Sequence, residues 1–122
     1  MIKTKRVYET PESEDGYRVL VDRLWPRGLT KEKARVDEWL REAGPSDELR
    51  RWFHSNSEKW SEFEILYRKE LMDKRGLLEK IASRSKNARV TLLYSYHDPA
   101  HNQAVVLKEF IEEMQKRPRS AS

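Results

Sequence analysis

The 122-residue chain contains no cysteine. Disulfides, thiolate metal centres and cysteine nucleophiles are therefore excluded. Only four glycines are present, and neither a Walker-type phosphate loop nor a Gly-x-Gly-x-x-Gly fingerprint occurs. There is no serine elbow of the Gly-x-Ser-x-Gly kind, and no zinc-finger, RRM or KH signature. Apolar runs are short, and none approaches the ~20 residues of a membrane helix. The N-terminal stretch Met1-Ile2-Lys3-Thr4-Lys5-Arg6 lacks the apolar core of a signal peptide. The chain is expected to be soluble and cytoplasmic, with no membrane partner. Histidine is also scarce, at three residues. His97 and His101 are four apart, as in a helical metal pair, but no third ligand is evident in the pattern. Neither a metal nor a cofactor is expected.

Charge is abundant. Charged residues make up 38% of the chain and hydrophobic residues 37%, and mean hydropathy is −0.96. Four Trp, five Tyr and three Phe still supply the bulky apolar area of a packed core. Basic residues outnumber acidic ones by 25 to 21, a net charge of +4. That permits an anionic partner without requiring one. The basic runs, such as Lys3-Lys5-Arg6, Arg50-Arg51 and Lys74-Arg75, are scattered among acids and read as solvated faces. The length suits one domain, assigned to residues 1–116, with a disordered tail at 117–122.

The pattern predicts strands at residues 2–8 and 17–22, a turn at Pro11–Gly16, and a short helix across Lys31–Ala34 capped by Thr30. A third strand is expected around Val36–Arg41. Gly44-Pro45 breaks the chain, and Ser46 caps a helix carrying Leu49, Trp52 and Phe53. Trp60, Phe63, Tyr67 and Leu71 share one face of a helix over Ser57–Asp73, started by Ser55 with Glu58 or by Ser57. Gly76 marks a break before a helix with Leu77, Leu78, Ile81 and Ala82. Val90–Ser95 is the strongest strand. Asp98-Pro99 is read as N-cap and first residue of a last helix, with Ala100, Ala104, Leu107, Phe110 or Ile111, and Met114 as its buried stripe. The fold class is α/β: a single domain with a mainly parallel or mixed sheet of about four strands and helices on both faces.

Two segments follow strands and carry chemistry-bearing groups. One runs from Tyr94 through His97, Asp98, His101 and Asn102, from a strand end toward a helix start. In open α/β sheets ligands bind at that edge, and a helix N-terminus favours anions. The plain alternative is that Asp98 only caps and His101 faces solvent. The other segment is Asp22, Arg23 and Arg27 around Trp25-Pro26. Two arginines can hold a phosphate or carboxylate bidentately; the alternative is an Asp–Arg pair bracing a turn over a core Trp25. Trp52, Phe53, Trp60 and Phe63 read as core, with His54 either reaching a site or meeting a helix dipole.

Four blocks carry a resemblance: Arg18–Leu29; Glu48–His54; Trp60-Ser61-Glu62-Phe63 with Tyr67 and Glu70-Leu71; and Val90–Tyr94 with His101–Leu107. Together they resemble the YeaO-like proteins, known as domain of unknown function 488, over nearly the whole chain. The resemblance implies a small prokaryotic protein of a family without an assigned activity. It places the family's recurrent polar positions on Asp22, Arg23, Arg27, His54, Asp98, His101 and Asn102. Gln103 departs from it, since relatives often carry His there.

The leading expectation is a small-molecule anion-binding protein, or an enzyme acting on a phosphorylated or carboxylated substrate. Arg23 and Arg27 would hold the anion, Asp22 would orient an arginine, and His54 and Tyr94 would contribute to the site. His101 would be the acid–base group, oriented by Asp98 or Asn102. This requires the two strand ends to meet in space. The alternative is a nucleic-acid or protein interaction module using basic faces. Neither oligomeric state nor substrate is written in the pattern.

Overall fold

The computed structural model describes residues 1–116; the expected tail at 117–122 lies outside the described residues. Four strands form one sheet: β1 (Ile2–Arg6), β2 (Tyr17–Leu20), β3 (Glu38–Trp39) and β4 (Val90–Tyr94). Their order is β1-β4-β2-β3, and every pairing is parallel. Five helices accompany them: α1 (Lys31–Ala34), α2 (Asp47–Ser55), α3 (Trp60–Met72), α4 (Arg75–Asn87) and α5 (Gln103–Lys116).

β4 is central because it is the most apolar strand, and all five of its residues are buried. A strand covered on both faces reads as a continuous apolar run. Each large side chain buried there contributes about 1.5–3 kcal/mol. Alternation then splits the core in two. Ile2, Val19, Val90, Leu92 and Tyr94 face the larger core, where α4 and α5 lie on the sheet. Phe53, Phe63, Tyr67 and Leu71 complete that layer from α2 and α3. Leu20 and Leu93 face the other side, against Ala34 of α1, Trp25, Leu29, Val36 and Trp39. Helices thus cover both faces, four on one side and the single turn of α1 on the other.

On that second face, Lys3, Lys5, Arg18 and Thr91 project toward a buried acid. Asp15 is 0% exposed, 3.0 Å from Lys3 Nζ, 3.1 Å from Lys5 Nζ and 2.5 Å from Arg18. Burial alone would push its carboxyl up. The Glu12 N–H and the three cations outweigh burial and hold it well below the usual carboxylate range.

Local signals place most elements. Thr30 Oγ1 accepts from the Lys33 N–H and Ser46 Oγ from the Leu49 N–H, so both caps stand where expected. Other boundaries differ. The third strand shrinks to two residues at the sheet edge. α3 begins at Trp60 without a side-chain cap, because residues 56–59 form a turn closed by the Lys59 N–H on the Asn56 carbonyl. Gly76 lies in the first turn of α4 rather than at a break. α5 does not start at Asp98-Pro99. The Asp98 carboxylate accepts from the Ala100 and His101 N–H groups and closes a separate turn. Asn102 then caps the helix, its Oδ1 accepting from the Val105 N–H, and Ala100 is exposed rather than part of the buried stripe.

Candidate functional site

β2 and β4 are neighbours, but the chains leaving them diverge. After β2 the segment through Trp25 and Leu29 crosses to the second face. After β4 the chain enters α5 on the first. Such divergence opens a crevice at the carboxyl edge of a parallel sheet, the usual ligand position in this architecture. A cleft of about 920 Å³ lies there. The two strand ends singled out from the sequence therefore meet in space.

Asp22 forms the floor. Its Oδ2 accepts from the Ser95 N–H at 2.8 Å, and its Oδ1 from Gln103 Nε2. Burial pushes its carboxyl above the ordinary value, against the opposing pull of Ser95, Gln103 and Arg50. The backbone carbonyl of Asp22 accepts from Trp39 Nε1 at 2.7 Å, which ties the strand end to β3. Trp39 meets Trp25 edge-on, with centroids 5.3 Å apart.

Arginines make up the walls. Arg23 donates from Nε to the Pro45 carbonyl at 2.7 Å, next to Gly44. A Cβ on Gly44 would stand 2.8 Å from the Val21 carbonyl, so only glycine lets the two segments approach this closely. Arg27 sits in the Pro26–Leu29 turn, which Gly28 completes at φ 83°. Its side chain is exposed, while its carbonyl accepts from Tyr8 Oη at 2.8 Å. Arg6 lies at the carboxyl end of β1, its Nε shared between the Ser95 and Tyr96 carbonyls, both at 3.1 Å. Arg50 comes from α2; its Nε is buried and makes no hydrogen bond. One turn later Phe53 and His54 also line the cleft. His54 and Phe53 meet Tyr96 at centroid distances of 5.9 and 5.8 Å.

Of the residues expected from the sequence, Asp22, Arg23, Arg27, His54 and Asn102 line the cleft. Tyr94 is buried in the larger core beneath it, where burial and Glu9 push its phenol up. Asp98 and His101 are not among the lining residues. They pair outside it, with Nδ1 and Oδ2 3.0 Å apart and the His101 side chain 50% exposed. His101 packs edge-on against Trp60, with centroids 5.0 Å apart.

Ser95, Tyr96 and His97, within the segment singled out after β4, also line the cleft, as do Arg6, Arg50 and Gln103, which were not expected as site residues from the sequence. A signal existed for two of them. Arg6 shares one strand face with Ile2 and Thr4, at the carboxyl end of that strand. Arg50 is spaced three and four residues from Phe53 and His54 on one helix. Among the described residues no group of three or more His, Asp or Glu could hold a metal ion. No helix among them is long and apolar enough to cross a membrane.

Comparison with known proteins agrees with the resemblance seen in the sequence. A family described as the inactive DUF488-N3 subclade matches residues 1–122. The chain is 41% identical over 113 residues to the uncharacterized protein YeaO of Escherichia coli K12, covering 93% of this chain and 98% of that protein. It is 39% identical over 112 residues to an uncharacterized protein of Mycobacterium tuberculosis H37Rv, covering 90% of this chain and 92% of that protein. No solved structure matches. The chain therefore belongs to the YeaO-like family, domain of unknown function 488.

Proposed function

We propose that this protein binds a small anionic molecule, a phosphate or carboxylate compound, in the cleft at the carboxyl edge of its sheet. The observation that carries the reading is an imbalance of charge. Four arginines and two histidines line the cleft against one carboxylate, Asp22, and that carboxylate is engaged by Ser95 and Gln103. An arginine with a buried, unpaired Nε, as at Arg50, is costly unless a ligand supplies the acceptor.

Binding without catalysis fits better than an enzyme. The oriented imidazole, His101 on Asp98, stands outside the lining, and the matching subclade is described as inactive. Arg23 shapes the wall through its backbone bonds. Arg27 has no hydrogen bond or ion pair from its guanidinium among the described residues, so it is available to a ligand.

The test is a thermal-shift screen of the purified protein against inorganic phosphate, phosphate monoesters and small carboxylates, repeated on Arg27→Ala and Arg27→Lys. A stabilising compound should lose at least about tenfold in affinity with Arg27→Ala, as for one charge-assisted bond. Arg27→Lys should restore only part of it, because a lysine cannot hold an anion bidentately. If no anion shifts the melting temperature, the reading is wrong.

A further inference from the structure

We propose that the anion taken by this cleft carries a proton of its own, as hydrogen phosphate does and as sulfate or a simple carboxylate does not. This rests on the anion-binding reading and narrows its ligand class.

The cleft sets an unpaired donor beside a group that only accepts. Among the described residues, the Nε of Arg50 is the one buried side-chain nitrogen or oxygen without a hydrogen-bond partner. The other end of that guanidinium is held by an acid that is not part of the lining, with Nη2 3.6 Å from the Asp47 carboxylate. The Nε edge is therefore the one left for a ligand, and an anionic oxygen satisfies it.

Asp22 is the only acid in the lining, and it lies near enough to Arg50 for that charge to favour its ionised form. An ionised carboxylate donates nothing and has about four acceptor positions. Ser95, through its N–H and its hydroxyl, and Gln103, through Nε2, supply three donors to it. Room remains for one more. Burial also raises the proton affinity of this carboxyl, which makes it a stronger acceptor.

An anion seated on Arg50 thus turns an oxygen toward Asp22. If that oxygen bears no proton, two negative groups meet with nothing between them, and the contact is repulsive. If it bears one, its O–H donates to Asp22 and both groups are satisfied. Hydrogen phosphate and sulfate are tetrahedral dianions of nearly the same size. The lining cations Arg6, Arg23, Arg27 and Arg50 attract them alike, and Asp22 separates them by repelling the one without a proton.

Calorimetric titrations of the full chain with inorganic phosphate, sulfate and acetate, at neutral pH and constant ionic strength, test this. Phosphate should bind at least about tenfold tighter than either, the size of one charge-assisted hydrogen bond. Arg50→Gln should weaken phosphate by at least about tenfold; an unchanged affinity would overturn the placement. Asp22→Asn should bring sulfate within about threefold of phosphate, because an amide N–H can meet an unprotonated oxygen. If that variant does not fold, the wild-type preference for phosphate over sulfate decides alone. If sulfate or acetate binds as tightly as phosphate, or if Asp22→Asn keeps the full preference, this inference falls and the anion site stands. If no anion binds, both fall.

Discussion

The Ser95 N–H donates to the Asp22 carboxylate at 2.8 Å across 73 residues of chain. This bond joins the ends of two parallel strands where their continuations part to opposite faces. Asp22→Asn offers one acceptor fewer and sets an N–H against either Ser95 or Gln103. We expect a loss of about 1–3 kcal/mol, the cost of leaving a buried polar group unpaired. Urea unfolding of the two proteins measures it; an unchanged midpoint would mean that the strand ends hold together without this bond.

Tyr67 is fully buried, and its hydroxyl donates to the Ala43 carbonyl at 2.5 Å. Tyr67→Phe keeps the ring and orphans that carbonyl. The expected cost is about 1–2 kcal/mol, read from chemical denaturation. It would appear with no change in the packing of Phe63 and Leu71, which near-ultraviolet dichroism can follow.

Asp15 predicts a pH dependence. Its folded-state pKa lies below the usual value of 3.8. Its stabilisation is therefore complete above that value and lost as the pH falls below it. Asp15→Asn removes the counter-charge of Arg18, 4% exposed, and leaves Lys5, 8% exposed, with Glu12 alone; it should cost about 3–5 kcal/mol near neutral pH. Melting curves from pH 7 downward should show the wild-type advantage shrinking in acid. A constant gap between the two proteins would assign acid sensitivity to another group.

Gly28 holds φ at 83° with open space around a would-be Cβ. Gly28→Ala therefore incurs backbone strain without a clash, about 1–2 kcal/mol. If Arg27 holds the anion, the same substitution should also weaken binding, since the turn that presents it shifts. Binding titrations on the folded variant separate the two effects.

His101→Ala removes an exposed imidazole that packs on Trp60 and pairs with Asp98 outside the cleft. Anion affinity should stay within about twofold of wild type, since surface ion pairs contribute little. A large loss would place His101 in contact with the ligand and revive the acid–base reading.

The helices over Asp47–Ser55 and Trp60–Met72 could be anticipated from the spacing of their apolar residues, and the strand ends from the charges that follow Val21 and Tyr94. Arg50 shares a helix face with Phe53 and His54, but that spacing does not say that its Nε will be buried and unpaired. The start of α5 is ambiguous in the sequence because Asp98 and Asn102 are both good caps. Only the competing turn at Ala100 and His101 decides between them.

By itself the sequence determined the element types, the caps at Thr30 and Ser46, the apolar central strand and the family. Those depend on interactions within a few residues, which leave a local pattern. The tertiary structure alone decided the order β1-β4-β2-β3, the meeting of Asp22 with Ser95 and Gln103, and the cations gathered on Asp15. Those are pairings between distant segments. They are set by how both sheet faces are covered at once, and no local period in the chain records that.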